Sequence, residues 1–239
     1  MDLGLKGRRA LVLASTKGLG RAVATALAGE GTSVMICGRF GAAQAAADIS
    51  RETSGAVMGR DCDLHDRAAI DDLFQAAVGE MGGVDILVLN SGGPPPAPAL
   101  EVPDKAWSEW FERMVGNLIH AATLALPAMR ERKWGRLLTI ASSAAVQPIP
   151  GMALSNSLRA SLLAWNKTLA AEVAADGITC NVVLPGRIDT ERVAALDEAR
   201  AKREGRSVEE IRRDVLAGNP IGRYGRPEEF GSVAAFLCS

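Results

Sequence analysis

The residues whose types and spacing could do chemistry begin near the start of the chain, at Ala14-Ser15-Thr16-Lys17-Gly18-Leu19-Gly20. This segment follows an apolar run at residues 10–14 and leads at once into a helix-period segment. Glycines between a buried strand and a helix let the main chain approach an anion, and the unpaired N–H groups of the first turn can receive it. In a doubly wound sheet the ligand of such a turn is a dinucleotide pyrophosphate; the alternative is a tight turn with no ligand. A second candidate is Cys37-Gly38-Arg39, at the end of the next apolar run. An acidic residue there would accept from a ribose 2′-hydroxyl, which Gly38 cannot do. Arg39, with Lys17 nearby, can instead pair with a 2′-phosphate. These residues favour NADP(H), with NAD the less favoured cofactor and a solvated surface arginine the plain alternative. No metal is expected, because His65, His120 and the dispersed cysteines Cys37, Cys62, Cys180 and Cys238 give no ligand spacing.

The elements that must position these residues are legible in the apolar pattern. Strand-sized runs at 10–14, 33–37, 56–58, 84–89, 136–141 and 178–184 alternate with helix-period segments. Several runs are nearly continuous in Val, Ile and Leu, as parallel strands covered on both faces are. Leu19, Ala22, Val23, Ala26 and Leu27 fall on one helical face, and Ile70, Leu73, Phe74, Ala77 and Val78 on another. Gly29 with Gly31, and Gly82 with Gly83, stop these helices. The reading is α/β: a single-domain, doubly wound Rossmann fold over residues 1–239, its parallel sheet covered by helices on both faces. Residues 187–220 break the rhythm and are charged, which suggests a substrate lid or a solvated insertion.

Composition excludes other classes. A net charge of −1 without a basic stripe argues against nucleic-acid or anionic-membrane partners. No apolar stretch is long enough to span a bilayer, and the first residues lack a signal-peptide layout. A reduced, cytoplasmic protein acting on a small molecule is expected.

Beyond the glycine-rich turn, the chain carries Cys62-Asp63-Leu64, Leu89-Asn90-Ser91-Gly92, Asn181-Val182-Val183-Leu184-Pro185-Gly186-Arg187-Ile188-Asp189-Thr190, Pro220-Ile221-Gly222-Arg223 and Arg226-Pro227-Glu228-Glu229. In this order they resemble the short-chain dehydrogenase/reductase family, especially its 3-oxoacyl-carrier-protein-reductase-like branch. The resemblance implies that Ala14 stands where the family has its first glycine, and that Asp63 accepts from the adenine amino group beside Leu64. It implies that Asn90, Ser91 and Gly92 line the cofactor, and that Pro185, Gly186, Ile188 and Thr190 hold the nicotinamide. It also implies a homodimer or homotetramer built on residues 117–133 and 151–175, with Leu158, Leu162, Trp165 and Leu169 as an interface stripe; the opposing reading turns that stripe toward its own sheet. The family's final strand, T-G-x-x-x-x-x-D-G-G, is absent from the sequence, which ends at Ser239.

The resemblance places the catalytic residues at Asn117, Ser142, Ser155 and Arg159. Here the chain departs from the family, whose Tyr and Lys of Y-x-x-x-K fall on Ser155 and Arg159. Ser155 and Arg159 share one helical face at i, i+4, but an aliphatic hydroxyl is a far weaker acid than a phenol. Tyr224, the only tyrosine, lies in the closing motif and cannot supply one by a change of register. Arg159 can bind a ribose and stabilise an alkoxide. The proton then comes from a water ordered by Asn117, or from His120, which otherwise reads as a packed helix residue. Two functions follow: an NAD(P)-dependent oxidoreductase of a carbonyl/alcohol substrate with a non-standard proton donor, or an impaired dinucleotide-binding module acting as sensor, scaffold or partner subunit. The proline-rich loop Ser91-Gly92-Gly93-Pro94-Pro95-Pro96-Ala97-Pro98 is either a wall of the substrate pocket or a rigid turn.

Overall fold

A computed structural model describes all residues, 1–239. The chain runs β1 (Arg9–Val12), α1 (Gly18–Gly29), β2 (Ser33–Gly38), α2 (Ala42–Thr53), β3 (Val57–Asp61), α3 (Arg67–Met81) and β4 (Ile86–Leu89). It continues through α4 (Asp104–Phe111), α5 (Asn117–Glu131), β5 (Gly135–Ile140), α6 (Ala153–Val173), β6 (Ile178–Val183), α7 (Glu191–Glu204), α8 (Val208–Ala217) and α9 (Pro227–Leu237). All six strands are parallel in the order β3-β2-β1-β4-β5-β6. The order reverses between β1 and β4, which opens a crevice above their carboxyl ends.

The sheet divides two apolar cores. On one face Val23, Leu27, Ile49, Phe230 and Ala234, from α1, α2 and α9, pack on Val12, Ile36 and Val88. On the other, Ile70, Leu73, Leu118, Leu158 and Leu162, from α3, α5 and α6, pack on Leu11, Leu87 and Leu137. The continuous apolar runs have their cause here, since both faces of each central strand are buried.

At the opposite end of the strands from the crevice, Asp85 is nearly closed off from water. It accepts from Arg9 Nε and Nη2 at 2.7 Å each, with Arg132 Nε at 3.2 Å. Burial pushes the Asp85 carboxyl up, but the hydrogen bond and charge of Arg9, aided by Arg132, hold it below the usual carboxylate range.

One expectation is corrected by packing. Leu158, Leu162 and Leu169 are buried inside the subunit and Trp165 packs on the same core, so this stripe faces its own sheet and offers no interface. The outer side of α6 instead presents Ser157, Ser161, Ala164, Thr168 and Ala171. Two of its hydroxyls are satisfied locally, Ser161 by Ser157 O and Thr168 by Ala164 O.

The charged excursion after β6 folds into α7 and α8 and is stitched at its base. Gly225 N donates to Arg187 O and Asp189 N to Gly225 O. Within it, buried Asp197 accepts from Arg187 Nη1 at 3.1 Å and from the Tyr224 hydroxyl at 2.7 Å.

Candidate active site

The turn after β1 is shaped for close approach. Ala14 sits at a φ of 47°, a left-handed conformation that glycine adopts without the Cβ cost. A Cβ on Gly20 would lie 2.5 Å from Ala14 O and 2.9 Å from Asn90 Nδ2, so only glycine fits there. Asn90 Nδ2 donates to Ala14 O at 2.9 Å, tying β4 to β1 across the crevice. Helix α1 has no side-chain cap and no acid in its first turn. The N–H groups around Gly18, Leu19 and Gly20 are thus left for an anion.

The residues of this turn divide by role. Ser15 is fully buried; its Oγ donates to Val12 O and accepts from Cys37 N, so its side chain braces β1 to β2 and is not available to a ligand. Thr16 fills the space beside Gly38, where a Cβ would lie 2.7 Å from its side chain. Lys17 Nζ sits 2.8 Å from Glu191 on α7, in an exposed ion pair. Arg39 is exposed and has no carboxylate partner. Around the expected adenine site, Asp63 Oδ1 accepts from His65 N, and buried Leu64 gives its carbonyl to Asn117 Nδ2 at 2.8 Å. Burial holds the His65 imidazole below its ordinary pKa, with Arg113 and Arg39 adding to the effect against Asp63. Taken together, a free helix N-terminus, a turn stripped of side chains and an unpaired cation fit a phosphorylated dinucleotide.

At the catalytic end, Ser142 follows β5 and accepts from Ala144 N at 3.2 Å, which leaves its O–H as a donor. Ser155 is buried on the first turns of α6, and Arg159 lies one turn on. Arg159 Nη1 donates to Ile140 O and Ala141 O at 3.1 Å each, which sets the guanidinium against the strand end that carries Ser142. Burial, and secondarily the charge of Arg192, lower the Arg159 pKa to about 10, so it remains charged at neutral pH.

Asn117 begins α5 after a π-helical turn, Glu112–Gly116, that no sequence pattern announced. Its amide is spent at both ends, since Oδ1 accepts from Arg67 Nε while Nδ2 holds Leu64. A relay water in this segment therefore depends on main-chain groups, which a π-turn leaves irregular. Pro185 O accepts from Ser143 N, Ile188 bridges Gly225, and Thr190 caps α7 through Val193 N. Gly92 is exposed beside Ser91, whose buried Oγ has no partner within the chain.

The two other proton-donor candidates are otherwise engaged. His120 Nε2 lies 2.7 Å from Asp71, joining α5 to α3. The Tyr224 phenol is pushed up to about 12 by burial and by Asp197, and it serves the excursion rather than the strand ends.

A family model described as enoyl-(acyl carrier protein) reductase matches residues 13–239. The chain belongs to the short-chain dehydrogenase/reductase family. It is 34% identical over 238 residues to D-beta-hydroxybutyrate dehydrogenase of Cupriavidus necator, covering 98% of this chain and 92% of that one. It is 31% identical over 237 residues to 3-oxoacyl-[acyl-carrier-protein] reductase of Escherichia coli, covering 99% and 92%. Among solved structures, L-sorbose reductase from Gluconobacter frateurii complexed with NADPH and L-sorbose superposes with a TM-score of 0.93 at 30% identity, over 100% of this chain and 92% of that one. An actinorhodin polyketide ketoreductase variant with NADPH gives 0.92 at 32%, over 97% and 90%. The protein is accordingly an NAD(P)-dependent oxidoreductase, and these relatives weigh against a binding module without activity.

Sequence reasoning missed one residue that reaches the loop after β4. Arg192, two residues beyond Thr190, reaches back to donate to Pro94 O at 2.9 Å. Its position just past the segment expected to hold the nicotinamide was a usable signal, but nothing local showed that α7 would turn it toward the loop after β4.

Proposed function

We propose that this oxidoreductase moves a hydride between NADP(H) and a carbonyl/alcohol pair, and that the proton comes from water rather than from a side-chain acid. The observation that carries the reading is the placement of Arg159, whose guanidinium donates to the two carbonyls just before Ser142. The bound nicotinamide supplies the hydride; the chain does the rest. Ser142 donates its O–H to the substrate oxygen while Ala144 N–H holds its Oγ in place. Negative charge then develops on that oxygen, and the positive charge of Arg159, withdrawn from water, stabilises it. Ser155 is too weak an acid to compete, and Arg159 keeps its proton. A water protonates the oxygen, and the hydroxide left behind is neutralised by solvent.

The exposed, unpaired Arg39 supports the preference for NADP(H), as do the two related reductases described with NADPH. In this reading residues 187–220 close over the substrate, and two or four copies associate through the small-residue face of α6. Turnover of NADPH with a panel of ketones tests the function. Activity that falls about 10²–10³-fold in Ser142→Ala, as for loss of an oxyanion donor, supports it; a Ser142→Ala enzyme as fast as the parent overturns it.

A further inference from the structure

Two guanidinium groups meet at one point of the cleft. A Cβ built on Gly93, in the loop after β4, would lie 3.2 Å from Arg192 Nη2 and 3.8 Å from Arg159 Nη2. Neither arginine has a carboxylate partner. Arg159 spends Nη1 on Ile140 O and Ala141 O, and Arg192 donates to Pro94 O. At two other places where arginines come together, a buried acid lies between them: Arg9 and Arg132 share Asp85, while Arg187 and Arg212 share Asp197. The nearest acid in sequence, Glu191, is taken by Lys17. The charged group that acts on Arg159 is therefore Arg192, which is repulsive.

Like charges held together without a counter-ion raise the energy of the unliganded site, and an anion placed between them removes that cost. Planar guanidinium forks suit a planar carboxylate, each able to give it a charge-assisted hydrogen bond. We propose that Arg159 and Arg192 form a carboxylate subsite beside Gly93, and that the substrate is an oxo or hydroxy acid rather than a neutral ketone or alcohol. This rests on the oxidoreductase reading for the reacting end of the molecule. Two guanidinium charges against one carboxylate leave a net positive charge, so Arg159 still stabilises the oxygen that turns negative. Gly93 keeps the space between the forks open, which any side chain would fill.

The test uses NADPH-saturated protein with paired probes. Calorimetric titration compares butanoate with butanamide, and turnover compares 2-, 3- and 4-oxo acids with their methyl esters. The wild type is expected to prefer the carboxylate member by about ten-fold or more, the size of a charged hydrogen bond. Arg192→Gln, at a solvent-reaching position that does not endanger folding, should reduce that preference to near unity. Gly93→Asp, which places a carboxylate between the forks, should abolish butanoate binding while NADPH still binds. Equal binding of butanoate and butanamide by the wild type overturns the proposal. So does a preference untouched by Arg192→Gln, or an Arg192→Gln protein that loses only NADPH affinity, which would assign the pair to a cofactor phosphate. Butanoate preference without turnover of any oxo acid keeps the subsite and removes the reductase reading. Turnover of esters and acids alike does the reverse.

Discussion

Replacing Arg39 with alanine isolates the discrimination between NADPH and NADH, because no ion pair within the chain holds this side chain. Arg39 is exposed at the end of β2 and holds no carboxylate, so its removal strands no buried partner. The loss is then the interaction with the 2′-phosphate alone. A hydrogen bond to a charged group is worth about 1.5–3 kcal/mol, and solvent screening at an exposed site points to the lower end. That predicts roughly ten-fold weaker NADPH binding in Arg39→Ala, with NADH unchanged. Lys17→Ala should cost less, because Lys17 must first leave Glu191, an exposed pair worth under about 1 kcal/mol. Fluorescence titration of both cofactors at two ionic strengths reads the effect, and the Arg39 contribution should shrink in higher salt. Equal losses for NADPH and NADH, or no loss for either, refute the reasoning.

Other expectations follow from the same contacts. Asp85→Ala leaves Arg9 and Arg132 without their buried acceptor and should destabilise the fold by about 3 kcal/mol in urea. Because the Asp85 carboxyl is held low in the folded protein, its contribution is complete above about pH 4 and is lost as pH falls further; the variant should lack that part of the acid transition. Gly20→Ala, which would push a methyl to 2.5 Å from Ala14 O, should abolish NADPH binding; an unaffected affinity contradicts the account of the turn. A bulky charge at Ala164, Ala164→Glu, should convert an oligomer to monomers by light scattering, whereas a wild type already monomeric at micromolar concentration removes the association proposal.

Much of the scaffold was legible because both sheet faces are buried. The runs at 84–89 and 178–184 became β4 and β6 with only their ends trimmed, and Gly82 stops α3 in the left-handed conformation. Residues whose roles depend on long-range contacts were not legible. Ser15 lies within the glycine-rich turn after β1 yet faces inward, as a brace between strands. The stripe of Leu158, Leu162 and Leu169 satisfies helical periodicity equally well for a subunit core and for an interface, and sequence alone could not choose between them. The Lys17–Glu191 pair joins residues 174 apart, and Arg192 meets Pro94 across 98, so neither has a local signature.

The pH dependence of single-turnover hydride transfer to a ketone, with NADPH prebound, tests the central claim most directly. If water is the proton source and Arg159 supplies fixed charge, the rate is flat from about pH 6 to 9, because a guanidinium keeps its charge throughout that range. Ser142→Ala keeps that profile at a rate lowered about 10²–10³-fold. A break in the profile that vanishes when His120 is replaced, or a rate that collapses in Tyr224→Phe with the fold intact, would contradict the account.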